Sequence, residues 1–139
     1  KAFKLFHLDI GLLRVMCRAD IRGIMLGGSV FEEFKGALAE QYVAQELAST
    51  SFSGGVYYWS SGAEAELDFV ITDGSKIYPV EVKAGINLQA KSLKQFMAKY
   101  DTAGAVRFSM AGLKLDGRVL NMPLYLSFNL EGFLKDSGL

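Results

Sequence analysis

Between Ser29 and Ser49 the apolar residues fall at three- and four-residue steps, with Phe31, Phe34, Leu38 and Tyr42 on one stripe and Val43, Ala44 and Leu47 on a second. That spacing predicts a long helix, apolar on two sides and therefore sandwiched rather than laid on a surface. Gly27-Gly28 breaks the chain before it, and Ser29 is placed to cap it. Upstream, Lys4 to Leu8 reads as a short strand, and Asp9 reads as the N-cap of a helix over Gly11 to Ala19. After the Ser/Gly-rich stretch from Ser49 to Gly55, Val56-Tyr57-Tyr58-Trp59 is a run of strand formers. Ala65 to Ile71 and Ile77 to Lys83 then alternate polar and apolar positions around Asp73-Gly74, the pattern of a β-hairpin. Pro79 cannot donate a ladder hydrogen bond, which points to an edge or a bulge there.

Farther along, Leu93, Phe96, Met97 and Tyr100 share one stripe of a predicted amphipathic helix over Gln89 to Tyr100, with Lys91, Lys94 and Lys99 off that stripe. Ala103 to Ser109 reads as a strand, Leu124-Tyr125-Leu126 as a short strand, and Leu130 to Lys135 as a final helical turn. The order is that of a mixed α/β domain. Residues 1–28 form an N-terminal strand-helix extension and residues 29–139 the main domain, with no repeats and no low-complexity tract.

With 139 residues, half of them apolar, the chain can bury a core without covalent staples. The single cysteine, Cys17, cannot close an internal bridge, which fits a reducing compartment and a cytoplasmic location. No stretch reaches the roughly 20 apolar residues of a membrane span, and the N-terminus lacks a signal-peptide pattern. The first residue is Lys rather than Met, which points to a piece of a longer protein. The formal net charge is zero, whereas proteins that grip many phosphates by themselves carry excess Lys and Arg.

Side chains alternate along a strand, so Glu66, Asp68 and Val70 are expected on one face, with Glu81 and Lys83 sharing a face on the next strand. A turn centred on Asp73-Gly74 sets Glu66 opposite Glu81; a register two positions on sets Asp68 directly opposite Glu81. Either register puts Asp68, Glu81 and Lys83 together. Like charges across strands repel, so something positive belongs there. Lys83 supplies one charge, and a divalent ion would neutralise the rest; Mg²⁺ binds through one or two carboxylates, waters and substrate phosphates. The plain alternative is that these residues form the solvated face of a ribbon. Against it stands Glu40, a carboxylate on the apolar side of the sandwiched helix, where a partner is needed.

The order of a helix bearing Glu40, a strand, the Asp68 strand, the Glu81-Val82-Lys83 strand, a helix and a strand resembles the αβββαβ core of the PD-(D/E)XK nuclease superfamily, with its restriction-endonuclease-like fold. More narrowly, Asp9-Ile10-Gly11-Leu12, Gly36 to Val43, Tyr58-Trp59, Ala65 to Val70, Val80 to Lys83 and Pro123-Leu124-Tyr125 resemble the C-terminal domain of unknown function that follows the ATPase module in prokaryotic AAA-type ATPases. The superfamily resemblance implies that Asp68, Glu81 and the Val82 carbonyl bind Mg²⁺ (or Mn²⁺), with Glu40 binding directly or through water. Lys83 would orient or activate the attacking water. Leu67 stands where the superfamily pattern has Pro. The implied reaction is metal-dependent hydrolysis of a DNA phosphodiester. The resemblance also implies an upstream ATPase module as partner, although no G-x-x-x-x-G-K-[ST] loop occurs in these residues and ATP is not expected to bind them. The alternatives are a nuclease-fold module that binds nucleic acid or a protein partner without cleaving, and a pure protein-interaction domain.

Of the remaining residues, Lys91 and Lys94 are the candidate backbone contacts to nucleic acid, although such a run is usually a solvated face. His7 is read as structural, Cys17 as a small hydrophobe in an apolar helix, and Tyr57, Tyr58 and Trp59 as core rather than a base-stacking platform.

Overall fold

The computed structural model describes residues 3–18, 32–62, 65–86 and 89–139. The expected break at Gly27-Gly28 and cap at Ser29 lie outside them. In chain order the elements are α1 (Ile10–Met16), α2 (Glu32–Ala48), β1 (Val56–Ser60), β2 (Glu66–Asp73), β3 (Lys76–Val82), α3 (Lys91–Lys99), β4 (Ala105–Ser109), β5 (Lys114–Asp116), β6 (Val119–Pro123), a 3₁₀ segment (Leu124–Asn129) and α4 (Leu130–Ser137). The fold is mixed α/β, built on a six-stranded sheet in the order β1-β2-β3-β4-β6-β5. β3, β4 and β6 run parallel to one another, while β1, β2 and β5 run antiparallel to their neighbours.

Two apolar layers hold the sheet. On one face Phe69, Ile71, Val80, Val106, Phe108 and Met122 pack against Val43 and Leu47 of α2 and Leu130 and Leu134 of α4. On the other, Leu67, Val70 and Ala105 pack against Ala90 and against Leu93 and Phe96 of α3. Of the stripe read from the sequence of α3, Leu93 and Phe96 are buried and Met97 half-buried, while Tyr100 at the C-cap is exposed, as are Lys91, Lys94 and Lys99. The hairpin forms with Asp73 opposite Lys76 and Phe69 opposite Val80, so the turn is centred one residue beyond Asp73-Gly74. Gly74 takes φ +58°, a left-handed conformation that costs glycine little. Pro79 lies within a central strand, but the β3–β4 ladder begins only at Val80.

Four sequence readings are corrected. Residues 4–8 form no strand; the segment is tied instead to a side chain, that of Gln41 on α2, which accepts from the His7 amide and donates to the His7 carbonyl at 2.8 Å each. Leu124 to Leu126 wind into the 3₁₀ segment rather than a strand. Cys17 is exposed at the end of α1, a helix that buries none of its residues. Tyr57 is exposed, and Tyr58 and Trp59 only half-buried, because β1 is the edge strand and lacks a neighbour on one side. Asp9 does cap α1, its Oδ1 accepting from the Leu12 amide at 2.7 Å.

Gln41 is itself buried, so losing its two hydrogen bonds leaves polar backbone atoms facing an apolar side chain. Gln41→Leu is expected to cost about 1 kcal/mol and to lower Tm by about 3–5 °C. An unchanged melting curve would mean that the N-terminal segment is not anchored there.

Candidate functional site

The site lies where β2 parts from β3. Between β1 and β2, Trp59 faces Leu67 while Tyr57 faces Val70, so one residue of β1 is matched by two of β2, Asp68 and Phe69. This β-bulge breaks the alternation. Leu67 enters the α3-side core and Phe69 the α2-side core, although two residues apart they would otherwise share a face. Asp68 is turned toward α2 with Phe69. Its Oδ2 accepts from the Val82 amide at 2.7 Å, fastening the carboxylate to the strand of Glu81 and Lys83.

On the α2 side the charge facing Asp68 is one that the sequence reading did not single out. Lys4 Nζ lies 2.8 Å from Glu66, 3.5 Å from Asp68 and 3.6 Å from Glu40. Burial and the Asp68 charge raise the Glu40 pKa against the pull of Lys4. Burial likewise raises the Asp68 pKa, opposed by the Val82 amide, by Lys4 and by Lys83. Burial would lower the Lys4 pKa, but its hydrogen bond to Glu66 and the charges of Asp68 and Glu40 outweigh that and raise it.

Glu81 and Lys83 form the second part. Val80 and Val82 point into the α2-side core, so by alternation Glu81 and Lys83 point to the α3 side. Glu81 is buried, and its Oε1 is 2.7 Å from Lys83 Nζ while its Oε2 has no hydrogen-bond partner. The expectation of one common face for Asp68, Glu81 and Lys83 is therefore corrected: the bulge sends Asp68 to the opposite side. What joins the two parts is the Val82 amide, and Lys83 still acts on Asp68 electrostatically. Lys91 and Lys94 sit on α3, on the Glu81 side of the sheet. An apolar cavity of about 540 Å³ adjoins Asp68, walled by Phe6, Ala44, Ala48, Tyr57 and Phe69.

Do these residues fit a divalent ion? Glu40, Glu66 and Asp68 already surround one cation, the Lys4 ammonium, and Mg²⁺ needs only one or two carboxylates besides water. Among the described residues no three Asp, Glu, His or Cys side chains converge on a single metal-sized point. The donor set thus fits a hydrated ion held by two carboxylates, in the place that Lys4 fills. Arg107, which interrupts an apolar run in β4, was also missed; a charge in the middle of Ala105-Val106-Arg107-Phe108 was the available signal.

A family model described as Domain of unknown function (DUF4143) matches residues 35–125, more than half of the chain. The chain belongs to the DUF4143 family. The matched span of this DUF4143 domain runs from α2 to the 3₁₀ segment and holds Glu40, Asp68, Glu81 and Lys83, while Lys4 lies outside it. No curated protein and no solved structure matches the DUF4143 chain. Among the described residues no helix is long and apolar enough to cross a membrane.

Proposed function

We propose that this DUF4143 domain is a restriction-endonuclease-like, PD-(D/E)XK-type module that hydrolyses DNA phosphodiester bonds with Mg²⁺ or Mn²⁺, in the cytoplasm, attached to an upstream ATPase module. The observation that carries the reading is the bond from the Val82 amide to Asp68 Oδ2, which fastens the first acid of the motif to the Glu81-Val82-Lys83 strand while Glu40 faces the same cation as Asp68. A bound divalent ion would supply Lewis-acid polarisation of the phosphoryl oxygen and a more acidic water. Asp68 and Glu40 would hold it, with the Val82 carbonyl and Glu81 at the same end of the sheet. The Lys83 ammonium, kept in place by Glu81, would stabilise negative charge developing at phosphorus. Lys91 and Lys94 would meet the DNA backbone.

A second reading, a module that binds nucleic acid or a protein without cleaving it, draws on the zero net charge and on Lys4 filling the acidic cluster. Calorimetric titration with Mg²⁺ and Mn²⁺ of the wild type, Asp68→Ala and Glu81→Ala separates the two, with plasmid and single-stranded DNA cleavage followed in the same buffers. Metal binding and cleavage in the wild type, with both lost in Asp68→Ala and cleavage lost in Glu81→Ala through the loosened Lys83, is the expected result. A folded wild type that neither binds metal nor cuts DNA would leave the non-catalytic reading.

A further inference from the structure

The three parallel strands β3, β4 and β6 place an in-register row on the α3 side of the sheet: Glu81 opposite Arg107, and Arg107 opposite Asn121. All three are more than nine-tenths buried, at 6%, 8% and 3% exposure. Arg107 and Asn121 stand at the middle of β4 and β6, and Glu81 stands one residue before the end of β3. Deeper on the same side the sheet is apolar, with Ala105 and Val119 in the core beneath α3.

The polar groups of this row are unequally satisfied. Both polar atoms of Asn121 are paired, its Oδ1 accepting from Ser109 Oγ at 3.0 Å and its Nδ2 donating to the Gly112 carbonyl at 2.7 Å; Ser109 Oγ also accepts from the Ala111 amide at 3.1 Å. Arg107 Nε is buried with no hydrogen-bond partner, and so is Glu81 Oε2. A guanidinium cannot shed its charge as a buried lysine can, so an unpaired one is retained at a cost unless an anion meets it. Glu81 already spends one oxygen on Lys83, and Glu81, Lys83 and Arg107 together carry one excess positive charge.

We propose that Arg107 of β4 and Lys83, just past the end of β3, form a phosphate-binding subsite on the α3 side of the sheet, with Glu81 orienting the Lys83 ammonium between the phosphate and itself. The inference rests on the phosphodiesterase reading only in assigning that phosphate to the substrate backbone. Arg107 engages it through the planar, charge-assisted hydrogen bonds that suit guanidinium to phosphate.

The wild-type chain, free of divalent metal, is titrated with inorganic phosphate against a chloride control while the arginine Nε–H signals are followed by ¹H–¹⁵N NMR. The chain has five arginines, and Arg107→Lys assigns the signal of interest. A saturable shift of the Arg107 Nε–H is expected, with affinity falling about tenfold or more in Arg107→Gln and falling less in Arg107→Lys. An unmoved Arg107 signal, or undiminished affinity in Arg107→Gln, overturns the subsite. So does a signal that ignores phosphate but shifts in Glu81→Gln, since Arg107 is then only the counter-ion of Glu81. The wild-type titration decides even if Arg107→Gln does not fold. Phosphate binding without metal-dependent cleavage would discard hydrolysis and keep the subsite; cleavage with an unmoved Arg107 would do the reverse.

Discussion

Lys4→Met is expected to destabilise the domain by about 2 kcal/mol at pH 8 and by much less at pH 4, a value between those of exposed and of buried ion pairs. The groups facing Lys4 are Glu40 from α2 and Glu66 and Asp68 from β2, with Lys83 acting on Asp68 from β3. Folding raises the pKa of Asp68 and of Glu40, so the folded state takes up protons more readily there than the unfolded chain does. Stability from these two groups therefore increases as pH falls through their folded pKa values and decreases as pH rises through them. Lys4 offsets that loss at neutral pH; without it three carboxylates face one another uncompensated. Lys4 itself has a raised pKa, so its contribution is fully present below about 10.5 and is lost as pH rises through its folded value. Wild type and variant should accordingly converge both near pH 4 and at strongly alkaline pH. Urea denaturation at pH 4, 8 and 11 gives the three differences, and an equal loss at pH 4 and pH 8 would show that Lys4 acts by packing rather than charge. If the cluster takes a divalent ion, Mg²⁺ at pH 8 should return part of the stability that Lys4→Met removes.

Phe108→Ala should cost more, about 3–5 kcal/mol. Phe108 is fully buried in β4, between β3 and β6, and its ring belongs to the layer that joins the sheet to α2 and α4. Truncation loses the transfer free energy of the ring and leaves a cavity among Val80, Val106 and Met122 neighbours that belong to a tightly registered sheet. Phe108→Leu, which refills much of the volume, should cost about 1.5 kcal/mol or less. The check is the midpoint of urea unfolding at unchanged m-value. A loss below about 1 kcal/mol for the alanine variant would contradict the two-layer packing around β4.

Elements set by short-range periodicity were legible from the sequence. The stripe of α3, the cap at Asp9 and the β2–β3 hairpin each depend on residues within a few positions, or across a two-residue turn, and all form. β5 and β6 carried no such mark. Lys114-Leu115-Asp116 is exposed throughout, and β6 pairs in parallel with β4, from which β5 separates it in the sequence, so its stability comes from distant partners rather than from its own pattern. Composition suits Lys4 to Leu8 to a strand, yet the backbone N–H and C=O of His7 pair with the Gln41 side chain, a substitution that alternation cannot express.

The candidate site divides in the same way. The sequence by itself determined that acids at 40, 68 and 81 and a lysine at 83 stand on a helix and two paired strands, because motif spacing and strand alternation are local properties. Only the tertiary structure decided which charges meet. A single bulge at Asp68 and Phe69 turns one carboxylate from the Glu81 side to the α2 side, and the N-terminal segment brings Lys4 into the cluster from far along the chain. Coulomb and hydrogen-bond partnerships are fixed by distances of a few ångströms, and such distances between remote residues are set by how the layers pack, not by the order of residues along one strand.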